Sequence, residues 1–235
     1  MPLVSCITPT INRPFYLKRS IDMFLAQDYQ NKEMVVLYNK AEDLPHVPQH
    51  DQVKYYQCRT MNIGNKRNLA CERTSGAIIV QWDDDDIYSP TRLSAQVAPL
   101  LNNEAYITGL NNFVFLEQPT GLCYTADELL FKNAFSGLVH CGTLVYWKSL
   151  WQNVAKYPNL NVGEDFNFLL RLKKQGIEVM PVDGYNQFVY VRHTANTWKF
   201  EQNNFRRYSG WNIATAPSWS ESQIAQITPN SKRYF

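Results

Sequence analysis

The stretch that most constrains the fold is residues 78–90, IIVQWDDDDIYSP. The apolar run 77–80 has the make-up of a buried strand, and it delivers four adjacent carboxylates, Asp83, Asp84, Asp85 and Asp86, at its carboxyl end. Four neighbouring like charges repel, and such a cluster suits a divalent cation with oxygen ligands. In an open α/β sheet the carboxyl ends of the strands are also where ligands bind. The plainer alternative is a solvated acidic turn leading through Ser89-Pro90 into a helix.

The residues upstream build a sheet around that strand. The β-branched run 3–8 reads as a buried parallel strand, and Pro14 opens a helix to about residue 27, with Leu17, Ile21, Phe24 and Leu25 at helical spacing. Residues 33–38 form the next strand, so the chain begins β-α-β with a right-handed crossover. A proline-bearing loop over 39–52 leads to a strand at 53–58 and a helix at 62–74, which Ser75-Gly76 is expected to terminate. Pro90 opens a further helix with Leu93, Val97, Leu100 and Leu101 on its buried face.

After residue 102 strands are expected at 106–109, 111–116 and 142–147. Gly163-Glu164-Asp165 opens an amphipathic helix capped by Gly176, with strands at 178–182 and 187–192 to follow. From residue 194 the chain is polar and aromatic without clear periodicity. The expectation is one α/β domain: an open, mainly parallel Rossmann-like sheet with helices on both faces and a smaller mixed or antiparallel extension. Residues 1–102 form its first half, 103–195 its second and 196–235 a tail.

Composition excludes several classes. A net charge of +2 gives no bulk field for nucleic acid. Five cysteines without a C-x-x-C pair argue against a disulfide framework or a zinc site and fit a reducing, cytoplasmic setting. Neither a signal peptide nor a run of about 18 apolar residues is evident. Walker A, G-x-G-x-x-G, G-x-S-x-G and H-E-x-x-H are all absent.

What remains is polar residues at strand ends. Thr8, Thr10 and Arg13 follow the first strand and Asn39 the second, and Lys66 and Arg67 precede the acidic one. Three cations beside a carboxylate-bound metal suggest a diphosphate ligand; for Lys66 and Arg67 the alternative is a solvated helix face. Glu164 and Asp165 at a helix start are favoured by the free N–H groups and the dipole alone. In a cleft, Asp165 has the chemistry of a general base toward a hydroxyl. His193, just after a strand, is either structural or a group that completes a metal shell or touches a phosphate.

These residues resemble a family 2 glycosyltransferase of the GT-A fold. The resemblance rests on Thr8-Pro9-Thr10-Ile11-Asn12-Arg13-Pro14, Gln27-Asp28-Tyr29, Gly64-x-x-Arg67-Asn68, Asp83-Asp84-Asp85-Asp86-x-x-x-Pro90 and Gly163-Glu164-Asp165, in that order across residues 3–194. It implies a nucleotide-sugar donor, with Thr8, Thr10 and Arg13 near the nucleoside and Arg67 near the base or the diphosphate. Asp85 would hold Mn2+ or Mg2+ on the diphosphate, and Asp84 or Asp83 would contact ribose or sugar; Asp83 and His193 are further candidate metal ligands, and Glu164 a candidate substrate contact. Asp165 would deprotonate an acceptor hydroxyl, on a glycan or another molecule, in an inverting displacement.

Two departures qualify the resemblance. The family's acidic base-reading residue after the second strand is replaced by Tyr38-Asn39-Lys40, with Glu42 and Asp43 a little later, so a UDP-sugar is only the default donor. No Q-x-x-R-W motif follows Asp165, which points to addition of one sugar or very few; peripheral membrane association stays open. The rival readings are a sugar nucleotidyltransferase, disfavoured by the glycine-free loop after the first strand, and a non-catalytic nucleotide-sugar-binding module. The aromatic tail, with Trp198, Phe200, Phe205, Tyr208, Trp211 and Trp219, is expected to shape the acceptor side, or to pack as a lid or dimer contact.

Overall fold

The computed structural model describes residues 1–44, 49–134, 138–197 and 209–228. Its centre is a run of parallel strands, β1 (Val4–Pro9), β2 (Lys32–Tyr38) and β4 (Ile78–Gln81), largely apolar on both faces, with the half-buried β3 (Val53–Gln57) at the edge. β4 pairs β1, β1 pairs β2 and β2 pairs β3, all in parallel. Alternate residues feed two separate cores. Val4, Cys6, Met34, Val36, Ile78 and Val80 enter one with Leu17, Ile21 and Phe24, and Ile7, Val35, Leu37 and Ile79 enter the other with Phe168 and Leu172. Both faces of these strands are therefore covered, which is why they read as continuous apolar runs.

Helix α1 (Pro14–Leu25) lies on the first face, as does α3 (Arg92–Leu101). α2 (Ile63–Arg73), α5 (Lys148–Asn153) and α6 (Glu164–Lys173) cover the second. α2 ends at Thr74 in extended backbone, not on a glycine cap as the sequence led us to expect. Leu101, expected in the buried face of α3, is 37% exposed at the helix end.

Beyond β4 the sheet continues through β9 (His140–Trp147) to β6 (Ile107–Asn111) and β10 (Met180–Asp183), giving the order β10-β6-β9-β4-β1-β2-β3. β9 runs antiparallel to both neighbours. Its direction matters, because it brings the first residues of β9 beside the carboxyl end of β4. The sheet is thus mainly parallel with one reversed strand.

A second sheet of five strands, in the order β12-β8-β7-β11-β5, forms the mixed extension. It comprises β5 (Ile87–Tyr88), β7 (Val114–Glu117), β8 (Leu122–Ala126), β11 (Phe188–Arg192) and β12 (Trp211–Ala214). β5, β8 and β12 do not stand out in the sequence, nor do α4 (Glu128–Ala134), α5 and α7 (Glu221–Ile227). The tail therefore contains ordered structure despite its aperiodic sequence. Trp211 packs edge-on against Phe115 at 4.7 Å, Trp219 lies against the core, and Ile224 and Ile227 enter it. Trp198, Phe200, Phe205 and Tyr208 lie outside the described residues. No described helix is long and apolar enough to cross a membrane.

Candidate active site

A cleft of about 880 Å³ opens at the carboxyl ends of the parallel strands. Six carboxylates line it, Asp83, Asp84, Asp85, Asp86, Glu164 and Asp165, against three cations, Arg13, Lys66 and Arg67. The sequence-predicted residues Thr10 and Asn39 line it as well, as does Asn196, whereas His193 lies behind Asp85 and does not. Thr8 does not: it is fully buried within β1.

One cluster gathers around Asp84 and Asp85. Thr10 donates its hydroxyl to Asp84 at 2.5 Å, and Arg13 Nη1 reaches Asp84 at 3.0 Å and Asp85 at 2.6 Å. Asp85 Oδ2 also meets His193 Nε2 at 3.0 Å and accepts from Asn196 Nδ2 at 3.3 Å. His193 is held from behind by stacking on Tyr16 at 5.0 Å, and its Nδ1 accepts the Ala195 amide. Burial, and then the charge of Asp85, push Asp84 up to about 7. Burial also opposes ionisation of Asp85, but the His193 hydrogen bond and the Arg13 charge outweigh it and hold Asp85 below the usual carboxylate range.

Behind this loop Asp86 is structural. Its Oδ1 accepts the Val191 amide at 2.9 Å, which ties the second sheet to the first. Tyr88 is a residue that sequence reasoning missed. Its hydroxyl donates to the Asp83 carbonyl at 3.1 Å and accepts the Asp83 amide at 3.0 Å, fixing the backbone where the carboxylates begin. No sequence motif announces such a clamp.

The second cluster is built on α2. Arg67 donates Nη2 to Asp83 at 2.8 Å and Nε to Glu164 at 2.9 Å, so one guanidinium joins the β4 end to the start of α6. Its Nη1 is buried without a hydrogen-bond partner among the described residues. Asp165 follows Glu164 at the helix start and is half-buried in the cleft wall. Burial, and then the Glu164 charge, push it up to about 6. The solvated-face alternative for Lys66 and Arg67 is excluded, since they are 5% and 4% exposed.

The motif Gly64-x-x-Arg67-Asn68 has a physical reading here. Asn68 holds Tyr157 by its backbone, donating to the carbonyl at 2.9 Å and accepting the amide at 3.1 Å. The Gly64 amide donates to the Leu160 carbonyl at 3.0 Å. A Cβ on Gly64 would sit 1.8 Å from the Pro158 carbonyl oxygen. α2 therefore docks the segment leading to α6, and that docking sets Glu164 against Arg67. Gly64→Ala is expected to cost at least about 2 kcal/mol, because backbone must move. Urea unfolding of the variant checks this, and wild-type stability would contradict it.

A divalent metal fits the first cluster in part. Asp85 Oδ2 and His193 Nε2 lie 3.0 Å apart, close to the separation of adjacent ligands on an octahedral ion with bonds of about 2.1 Å; ligation through Nε2 requires the imidazole proton to move to Nδ1, releasing the Ala195 amide. The excess of carboxylates favours a cation. Among the described residues, however, no three His, Cys, Asp or Glu side chains group closely enough to hold one alone. Asp83 turns to Arg67 instead of joining Asp85. The protein thus offers two ligands, a number suited to an ion that takes the rest of its shell from substrate phosphates and water.

Comparison with known proteins agrees with this geometry. Residues 5–121 match the profile described as Glycosyl transferase family 2. The fold is shared with the 1–349 fragment of S. aureus TarS in complex with UDP-GlcNAc, at a TM-score of 0.61 and 17% identity over 83% of this chain and 60% of that one. It is shared too with the mannosyltransferase PcManGT from Pyrobaculum calidifontis in complex with GDP-Man and Mn2+, at a TM-score of 0.59 and 18% identity over 81% and 56% of the two chains. The fold is therefore GT-A, and the chain belongs to the family 2 glycosyltransferases. Among curated relatives, the putative colanic acid biosynthesis glycosyl transferase WcaA of Escherichia coli K12 is 26% identical over 82% of this chain and 74% of its own length. Of other relatives the chain spans as little as 16% of the length.

Proposed function

We propose that this cleft transfers a sugar from a nucleoside-diphosphate sugar, a UDP-sugar being the first to try, to an acceptor hydroxyl. The transfer inverts the anomeric carbon and depends on a divalent metal, Mn2+ or Mg2+. The observation that carries the reading is the meeting of Asp85, which His193 contacts from behind, and the base-like Asp165 in one cleft, bridged through Asp83, Arg67 and Glu164. The ligands named for TarS and PcManGT, UDP-GlcNAc and GDP-Man with Mn2+, support it by analogy of fold.

Asp85 and His193 would hold the metal, which when bound neutralises charge on a departing diphosphate. Arg13 and the unpartnered Nη1 of Arg67 supply positive charge for phosphate oxygens. Thr10 and Asn39 stand on the nucleoside side, and Asp83, Asp84 and Glu164 face the ribose and sugar. Asp165 takes the proton of the acceptor hydroxyl as its oxygen forms a bond to the anomeric carbon. The bond from that carbon to the diphosphate oxygen breaks, and its electron pair leaves with the nucleoside diphosphate.

The direct test is release of nucleoside diphosphate from a panel of UDP- and GDP-sugars with mixed glycan acceptors, in Mn2+ and in EDTA. Metal-dependent release is expected, and no release from any donor would overturn the reading. Only ionised Asp165 accepts a proton, and its pKa is raised to about 6. The rate should therefore climb as pH rises through about 6 and level off above it. A rate that stays flat from pH 5 to 8 would contradict the base assignment.

A further inference from the structure

We propose that Lys66 reads the nucleobase of the donor, selecting bases with a carbonyl oxygen at the pyrimidine 4- or purine 6-position (uracil, thymine, guanine) over those with an amine there (cytosine, adenine). This rests on the nucleotide-sugar reading above. Lys66 lines the cleft and is 5% exposed. Its ammonium donates to the Thr10 carbonyl at 2.6 Å and to Asn39 Oδ1 at 2.7 Å. An ammonium has three N–H donors, and the third has no partner among the described residues. Both acceptors are neutral, so the charge is solvated without being cancelled.

The side-chain acceptor bound to Lys66 is itself engaged. Asn39 Nδ2 donates to the Cys58 carbonyl at 3.2 Å, so its amide is engaged on both sides. The nearest acidic candidate, Asp43, is fully buried and accepts the backbone amides of Asn12, Asn39 and Lys40 at 2.8, 2.8 and 2.9 Å. It does not line the cleft. The Asp43 clamp and Lys66 together lock the loops after β1 and β2 to each other. Lys66 hydrogen-bonds to none of the four aspartates, which sets it apart from the Asp85–His193 pair assigned to the diphosphate. A base carbonyl satisfies the remaining N–H with a charge-assisted bond, whereas a base amine sets donor against donor.

Calorimetric titration of the full chain in Mn2+ with UDP, thymidine diphosphate, GDP, CDP, ADP and inorganic pyrophosphate tests this. Wild type is expected to bind UDP at least about tenfold more tightly than CDP. Lys66→Met should shrink that gap to about twofold and leave pyrophosphate affinity unchanged. Equal wild-type affinity for UDP and CDP would overturn the proposal, and that comparison stands even if the variant fails to fold. Loss of UDP, CDP and pyrophosphate binding by one common factor in Lys66→Met would also overturn it, by making Lys66 a phosphate contact. If wild type binds no nucleoside diphosphate at all, the nucleotide-sugar reading itself fails.

Discussion

Replacing Asp165 by asparagine is expected to lower the turnover rate by about 10²–10⁴-fold, the usual contribution of a general base, while donor affinity changes little. Asparagine keeps the shape and the hydrogen bond that Asp165 Oδ1 accepts from the Phe166 amide at 2.7 Å. It cannot take a proton. The half-buried carboxylate sits at the start of α6 with Glu164 beside it, and burial followed by that neighbouring charge brings its pKa up to about 6. A base of this strength is ionised at neutral pH yet still basic enough to assist a hydroxyl. Steady-state kinetics with a saturating UDP-sugar measure the loss, and titration of UDP measures the retained affinity. Turnover within about twofold of wild type would remove Asp165 from the mechanism.

Arg67→Met is expected to cost about 3–5 kcal/mol of stability, the range for removing one partner of a buried ion pair. The side chain of Glu164 is 6% exposed and has Arg67 as its ion-pair partner, while that of Asp83 is 26% exposed and less costly to strand. Methionine fills most of the volume, so the effect isolates charge from packing. Chemical denaturation gives the number. Because the same guanidinium spans the β4 end and the α6 start, transfer should fall even under conditions where the variant is fully folded. A cost below about 1 kcal/mol would mean that water replaces the guanidinium and that the bridge is not structural.

Much of this was legible in the sequence, for identifiable reasons. Buried parallel strands are continuous apolar runs, so residues 3–8, 33–38 and 77–80 announced themselves. Asp83 to Asp86 stood out because four adjacent carboxylates at a strand end have few uses, whereas Glu164-Asp165 is also what a helix start favours on its own. The pairings did not stand out. Arg67 lies 97 positions from Glu164, and Arg13 lies 72 from Asp85. Only the folded sheet decides which carboxylate meets which cation, and it sets Asp83 against Arg67. The reversed direction of β9, which sets His140, Cys141 and Gly142 at the cleft, depends on sheet pairing that no local pattern encodes. β5 is two residues long, and the tail strand β12 is half-exposed, so neither carries a periodic signal.

The role of Gly64-x-x-Arg67-Asn68 was recognised only as a pattern. Its physics is the docking of one segment on one helix: a missing Cβ, a side-chain amide holding a backbone, and a guanidinium that meets the carboxylate so delivered.

Asp85 and His193 are proposed to hold the metal of a nucleotide-sugar site. Calorimetric titration of UDP into the protein in Mn2+ and again in EDTA tests it most directly. Affinity is expected to fall at least about tenfold without metal, and the difference should vanish in Asp85→Ala. Equal affinity for UDP in Mn2+ and in EDTA would contradict the account.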